Sequence, residues 1–177
     1  VKKELFPFEN EVYETYAMTE TITHIAFKQV ANQKFPYVKN AFEAFDEVKI
    51  SQDDRGCLVI DPPYDGLQVV TNDIVEIVDE HTFNWIGRAD NVINSGGIKL
   101  FPEQIEEKLK SFINSDFYIT SKADELLGQK LILVVEGEER SFDFSSADLT
   151  KYQTPKEIIF IEKFPRTESG KIKRQQF

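Results

Sequence analysis

The stretch Gly87-Arg88-Ala89-Asp90-Asn91-Val92-Ile93-Asn94-Ser95-Gly96-Gly97-Ile98-Lys99-Leu100-Phe101-Pro102-Glu103 separates two differently patterned halves of the chain. It follows a strand-like run, Thr82 to Ile86, and runs into an amphipathic helix. Pro102 suits the first helical turn and Glu103 complements the helix dipole. Ile105, Leu109, Phe112 and Ile113 then fall on one helical face. Paired glycines suit a backbone that turns at positive φ or lies against a ligand. By itself the stretch reads equally well as a β-turn with a solvated Arg/Asp pair or as a functional junction.

Working outward, the first half is rich in β patterning. Val12 to Tyr16 reads as a short strand and Ala17 to Thr21 as a polar loop. Val48-Lys49-Ile50 and Cys57 to Ile60 are β-rich runs joined by the turn Asp53-Asp54-Arg55-Gly56. Beyond the loop Pro62 to Gly66, Leu67 to Thr71, Ile74 to Val78 and Phe83 to Ile86 continue the pattern. Several short strands spaced by turns favour a barrel-like or sandwich arrangement. The second half predicts strands at Phe117 to Thr120, Leu131 to Glu136 and Glu157 to Glu162, with a weaker helix between Ser145 and Tyr152 that Pro155 stops. The fold class is therefore α+β: a mostly antiparallel β subdomain over residues 1–87, then a small α+β domain over 88–177 with a three-stranded sheet and helices.

At 177 residues, 41% hydrophobic and 29% charged, the chain has the composition of a globular protein with one medium domain or two small ones. It has no run of apolar residues long enough to span a membrane and no signal-peptide pattern, so no membrane partner is expected. A net charge of −10 argues against nucleic acid as a partner. The charge is uneven: from Lys163 to Phe177 there are five basic residues and one acid, Glu168. That segment reads either as a solvated tail or as a place to hold an anion. Cys57, the one cysteine, has no internal partner and reads as a buried structural thiol, with the cytoplasm as the default compartment. The start at Val1 is expected to mark a piece of a longer protein.

Three further stretches carry chemistry. Tyr16-Ala17-Met18-Thr19-Glu20 offers a flat phenol, a hydroxyl and a carboxylate. Such groups suit an adenine, a nucleotide oxygen and a magnesium ion respectively. Thr71-Asn72-Asp73, read as a turn between two strands, offers a carboxylate that can accept both vicinal hydroxyls of a ribose. Asn72 tolerates the left-handed backbone that such a turn uses. Pro165-Arg166-Thr167-Glu168-Ser169-Gly170-Lys171 puts a mobile cation on a small, flexible loop.

In this order and spacing, the four stretches resemble motifs of the acyl-adenylate-forming enzymes, the superfamily of acyl-CoA synthetases, luciferases and peptide-synthetase adenylation domains. Tyr16 to Glu20 resembles its YGxTE loop, with Ala17 in place of glycine. Thr71-Asn72-Asp73 resembles Thr-Gly-Asp, with Asn72 in place of glycine. Pro165 to Lys171 resembles the C-terminal Pro-x-Thr-x-Ser-Gly-Lys loop. The stretch from Tyr13 to Ala26, with Ile93 to Lys99, is closer to bacterial acid–CoA ligases than to luciferases.

The resemblance implies ATP/AMP, Mg2+ and coenzyme A as cofactors and a small-molecule carboxylic acid as substrate. It assigns Tyr16 to adenine, Thr19 to the phosphate region, Glu20 to magnesium and catalysis, Asp73 and Arg88 to ribose, and Lys171 to catalysis at the substrate carboxylate and α-phosphate. Asp90 would be the pivot of a mobile C-terminal domain, and Ser95, Gly96 and Gly97 would line the pantetheine path. His24, just past the magnesium loop, is a candidate contact to the acid. The Ser/Thr- and Gly-rich phosphate loop of the superfamily and most of its acid pocket are not in this sequence, so these residues alone are not expected to catalyse adenylation. A carrier-protein-loading adenylation domain, or a non-catalytic binding module on the same fold, are the alternative readings.

Overall fold

Alternating apolar residues in the first half pair into one antiparallel sheet. The computed structural model describes residues 10–32, 34, 35, 38, 39, 41–64, 68–175 and 177, so Asp65, Gly66 and Leu67 of the expected loop and strand lie outside the described residues. The chain divides into two compact units, Val1–Ala89 and Asp90–Phe177.

In the first unit, β1 (Val12–Ala17), β2 (His24–Val30), β3 (Phe42–Ala44), β4 (Lys49–Gln52), β5 (Cys57–Asp61), β6 (Val69–Asp79) and β7 (Thr82–Arg88) form a sheet in the order β1-β2-β3-β7-β6-β5-β4. The core beneath it gathers Tyr16, Ile25, Phe42, Leu58, Ile60, Val75 and Phe83. Phe42 stacks on Phe83 at 5.5 Å between ring centres, and Tyr16 meets both edge-on. Such aromatic contacts each add about 0.5–1.5 kcal/mol to simple area burial. Cys57 is fully buried in β5, as the sequence suggests.

Two expectations change here. The runs either side of Thr71-Asn72-Asp73 are one strand, β6, with an irregularity in its pairing to β7 between Ile74 and Val75. Asn72 thus has no left-handed backbone; among the described non-glycine residues only Ile22 has positive φ. The segment runs on between Val70, opposite Val59, and Ile74, opposite Cys57, where the β5–β6 register slips, while Asp73 is paired with Arg88 of β7.

The second unit has β8 (Ile93–Ser95), β9 (Ile98–Leu100), α1 (Pro102–Leu109), β10 (Phe117–Asp124), β11 (Gly128–Glu136) and β12 (Glu157–Ile161). The three expected strands all form, and the β8–β9 hairpin joins β11 through Ser95 and Gly128 to make five. β11 is antiparallel to β10 and parallel to β12. Leu131, Leu133 and Val135 pack with Ile105 and Leu109 of α1, whereas Ile132 and Val134 pack with Tyr118 and Phe164. Both faces of β11 are therefore covered, which is why it reads as an unbroken apolar run rather than an alternating one.

The helix expected at Ser145 to Tyr152 is a series of turns. Its polar side chains take the backbone for themselves: the Asp143 carboxylate accepts the Ser145 N–H at 2.8 Å, and Gln153 N–H donates to Thr150 Oγ1 at 3.3 Å. Asp, Ser and Thr compete with helix in this way. Likewise α1 ends at Leu109, so Phe112 and Ile113 pack from the turn that follows.

The basic segment after Lys163 is not a solvated tail. Phe164 is buried and Ile172 packs beside it against Tyr118, Ile132 and Val134. Among the described residues, no helix is long and apolar enough to cross a membrane.

Candidate functional site

Asp73 and Arg88 are direct cross-strand partners in the β6–β7 ladder. Side chains opposite one another across two strands lie on one face of the sheet within reach of each other. Arg88 Nη1 accordingly donates to Asp73 Oδ1 at 3.3 Å. The second carboxylate oxygen, Oδ2, accepts the Tyr16 hydroxyl. Tyr16 lies on β1, four steps from β6 in the strand order. A flat sheet would put those strands about 19 Å apart at ~4.8 Å per step. The sheet must therefore curl for the phenol to reach Asp73, in keeping with the barrel-like expectation.

The network is well braced. Thr71 Oγ1 accepts the Asp73 N–H at 3.0 Å, and Arg55 donates to both Asn72 Oδ1 and the Thr71 carbonyl at 3.0 Å. Arg55 is a supporting residue that its sequence position beside Cys57 does not reveal; its fork reaches across the β5–β6 pair. Asp73 is 6% exposed and Tyr16 8%. Burial, and then the bond to the Asp73 carboxylate, push the Tyr16 phenol far above its ordinary pKa of 10.0. Tyr16 therefore stays neutral and donates. Its ring is enclosed by Phe42 and Phe83, which leaves little of it for an adenine to stack on.

The loop after β1 carries the other candidates of the first unit. Thr19 and Glu20 lie in a single 3-10 turn, Thr19–Thr21, and both are exposed. His24 is exposed at the start of β2, paired with Ala17 across the ladder. No cluster of three or more His, Cys, Asp or Glu is placed to hold a metal among the described residues. Glu20 is a lone exposed carboxylate, the kind of ligand that magnesium uses alongside water and phosphate oxygens.

In the second unit, Asp90 is exposed in the 3-10 turn Ala89–Asn91. Asn91 Nδ2 donates to Glu103 Oε1 at 2.5 Å, tying that turn to the start of α1. Gly96 and Gly97 form the β8–β9 turn with φ of 60° and 82°, as paired glycines suggest. Gly96 N–H donates to the Leu127 carbonyl at 2.8 Å, and Ser95 is buried beneath the turn. Leu127 gives no sequence signal for this contact, because it lies in the turn of a distant hairpin.

Lys171 closes a small hairpin loop. Thr167 N–H donates to the Lys171 carbonyl at 2.8 Å and Thr167 Oγ1 accepts the Lys171 N–H at 3.0 Å, with Gly170 at φ 82° between them. At the base of the loop Arg166 Nη2 bridges Asp116 at 2.5 Å and Glu136 at 3.2 Å. The Lys171 ammonium is exposed and makes no hydrogen bond or ion pair among the described residues.

No family model matches the chain. The 2-succinylbenzoate–CoA ligase of Listeria monocytogenes is 29% identical over 188 residues, covering 92% of this chain and 39% of that protein. The enzyme of the same name from Lactococcus lactis is 31% identical over 118 residues, covering 64% of this chain and 26% of its own length. The chain thus spans well under half the length of these curated relatives. Among solved structures, o-succinylbenzoate coenzyme A synthetase from Bacillus subtilis, in complex with ATP and magnesium ion, superposes with a TM-score of 0.76 at 17% identity. It covers 97% of this chain and 42% of that one. In sequence over most of its length the chain is similar to 2-succinylbenzoate–CoA ligases, and its fold is that found in o-succinylbenzoate coenzyme A synthetase.

Proposed function

We propose that this chain is the C-terminal part of an ATP-dependent acid–CoA ligase whose acid is o-succinylbenzoate, serving menaquinone biosynthesis. The reaction joins a carboxylate to AMP with loss of pyrophosphate, then passes the acyl group to the thiol of coenzyme A. The observation that carries this reading is the joining of Tyr16, Asp73 and Arg88, three residues from separate motifs, at one buried carboxylate.

Each residue has work in that chemistry. Asp73 accepts the ribose hydroxyls, and the long Arg88 contact is the one that gives way to them. Tyr16, neutral and enclosed, positions Asp73 rather than stacking on the base. Thr19 and Glu20 sit on the exposed turn, where Thr19 bonds the phosphate region and Glu20 holds magnesium. When bound, that ion screens the charge of the phosphates. Lys171 pairs with the substrate carboxylate and α-phosphate as the adenylate forms. Asp90, at the break between the two units, is the pivot that swaps Lys171 for the second half-reaction. Ser95, Gly96 and Gly97 then line the pantetheine path, where missing side chains let a narrow thiol arm approach. His24 stands beside the acid.

The test is ATP–pyrophosphate exchange by the full-length protein with o-succinylbenzoate, beside benzoate, coumarate and a medium-chain fatty acid. Exchange with o-succinylbenzoate alone, followed by CoA-dependent thioester, is expected. Exchange with another acid only would retain the chemistry and overturn the substrate. Exchange with none of them would overturn the assignment to o-succinylbenzoate and favour a binding module.

A further inference from the structure

Ile22 is the described non-glycine residue whose backbone lies in the left-handed half of conformational space, at φ 62° and ψ −38°. For a β-branched side chain this is a genuine outlier. Thr23 N–H donates back to the Thr21 carbonyl at 2.6 Å, so Ile22 is the central residue of a three-residue γ-turn of the strained, positive-φ kind. Strain of this sort persists only where the surroundings dictate it. Here they do. Thr21 is fully buried; its hydroxyl accepts the Met18 N–H at 3.2 Å and donates toward the Met18 and Thr23 carbonyls, at 3.0 and 2.9 Å. The Tyr64 hydroxyl adds a further bond to the Thr21 carbonyl, the same one the γ-turn uses.

What this strain secures is exposure of an apolar group. Ile22 is 81% exposed, against 0% for Thr21 and 1% for Ile25 on either side of it. Its nearest functional neighbours along the chain are Glu20 and His24, each two residues away and both exposed. A glycine would adopt the same turn without strain, so the turn alone does not call for isoleucine. The side chain is what the site retains at that expense.

We infer that Ile22 is a specificity-determining residue, whose side chain meets the apolar body of the carboxylic acid substrate while Glu20 and His24 face polar groups. The inference rests on the acid–CoA ligase reading and deepens it: the acid presents a hydrocarbon surface next to its reacting carboxylate.

Three variants of the full-length protein test it: Ile22→Gly, Ile22→Ala and Ile22→Leu, with o-succinylbenzoate as the probe acid. Loss of an apolar contact of this size is expected to raise KM for the acid about tenfold or more in the Gly and Ala variants, with KM for ATP unchanged. The Leu variant, which restores apolar volume, keeps KM for the acid near that of the parent. The Gly variant melts above the Ala variant, because only Gly relieves the positive φ. An unchanged KM for the acid in both small variants overturns the inference. Lower melting temperatures in both, with KM unchanged, would instead assign Ile22 to packing against another part of the protein. If the parent itself gives no exchange with the acid, the ligase reading has failed, which is a different result from a parent that exchanges and variants that match it.

Discussion

Glu106 of α1 holds Arg174, 68 residues downstream, through both guanidinium nitrogens, at 2.8 Å to Oε1 and 2.9 Å to Oε2. The same carboxylate accepts the Ile119 N–H at 2.8 Å, so one side chain joins the helix, β10 and the C-terminal segment. Burial outweighs these partners and raises the Glu106 pKa above its ordinary 4.5. A carboxylate with a raised folded pKa contributes stability that is full below the unfolded value and is lost as pH rises through the folded one. Glu106→Gln removes that loss. From pH 4 to pH 7, thermal melts are expected to show the Gln variant gaining stability relative to the parent. A constant difference across that window would contradict the raised pKa.

Removing the other partner acts in the opposite sense. Arg174→Ala leaves a nearly buried carboxylate without its cation, and the expected loss is about 1.5–3 kcal/mol, as for a hydrogen bond to a charged group. Urea unfolding of the second unit reads it directly. A change within ±0.5 kcal/mol would class the pair with ordinary surface contacts.

Tyr16 should behave as a phenol that does not ionise in the folded state. Its raised pKa means that its contribution is complete below pH 10 and is lost as pH rises beyond it. In ultraviolet difference titration, Tyr16→Phe should remove no step near pH 10, and its stability should fall less steeply than the parent's above that pH. Near neutrality the variant should be less stable by about 1.5–3 kcal/mol, since the buried Asp73 carboxylate loses a donor.

The β8–β9 turn sets two glycines against each other. A Cβ at Gly96 would meet Leu127 Cδ2 at 3.2 Å, whereas one at Gly97 meets nothing within 4 Å. Both have positive φ, which costs a side chain about 1–2 kcal/mol. Gly96→Ala should therefore be the more destabilising of the two by chemical denaturation. If Ser95 to Gly97 line the thiol path, both variants should also raise KM for CoA while sparing pyrophosphate exchange.

Lys171→Ala should reduce adenylate formation by about 10²–10³-fold, as for removal of one electrostatic stabiliser, yet largely spare thioester formation from a supplied acyl adenylate. Single-turnover assays of each half-reaction separate the two. Equal loss in both halves would remove the role from Lys171.

The β-rich first half, the helix at Pro102 and the three later strands were legible because each had its own period or punctuation. What escaped was decided by strand register and by side-chain and turn bonds that periodicity does not reveal. Thr71-Asn72-Asp73 carries turn residues, yet it lies within one strand, at the slip in the β5–β6 register, with Asp73 paired to Arg88. Ser145 to Tyr152 has helical spacing, but its Asp, Ser and Thr side chains bond locally. β2, β3 and the β8–β9 hairpin gave no separate signal, since β3, β8 and β9 have three residues each and depend on neighbours. The Asp73–Arg88 pairing was legible only as two motifs in order; their opposition across one ladder is a fact of register. Ile22 offered nothing at all in the sequence, because strain is invisible until the turn that imposes it is known.

The hairpin that bears Lys171 has a consequence for timing. A cation on a loose tail would sample its target continually, at an effective concentration set by the length of the tether. Here Arg166 clamps the loop base to Asp116 and Glu136, and Ile172 is bedded in the apolar core just beyond. The ammonium has only its own side-chain reach from a hairpin fixed to the second unit. If Lys171 serves adenylate formation as proposed, delivery of its charge would be a switch, on or off with the position of the body that carries it, rather than a diffusive search.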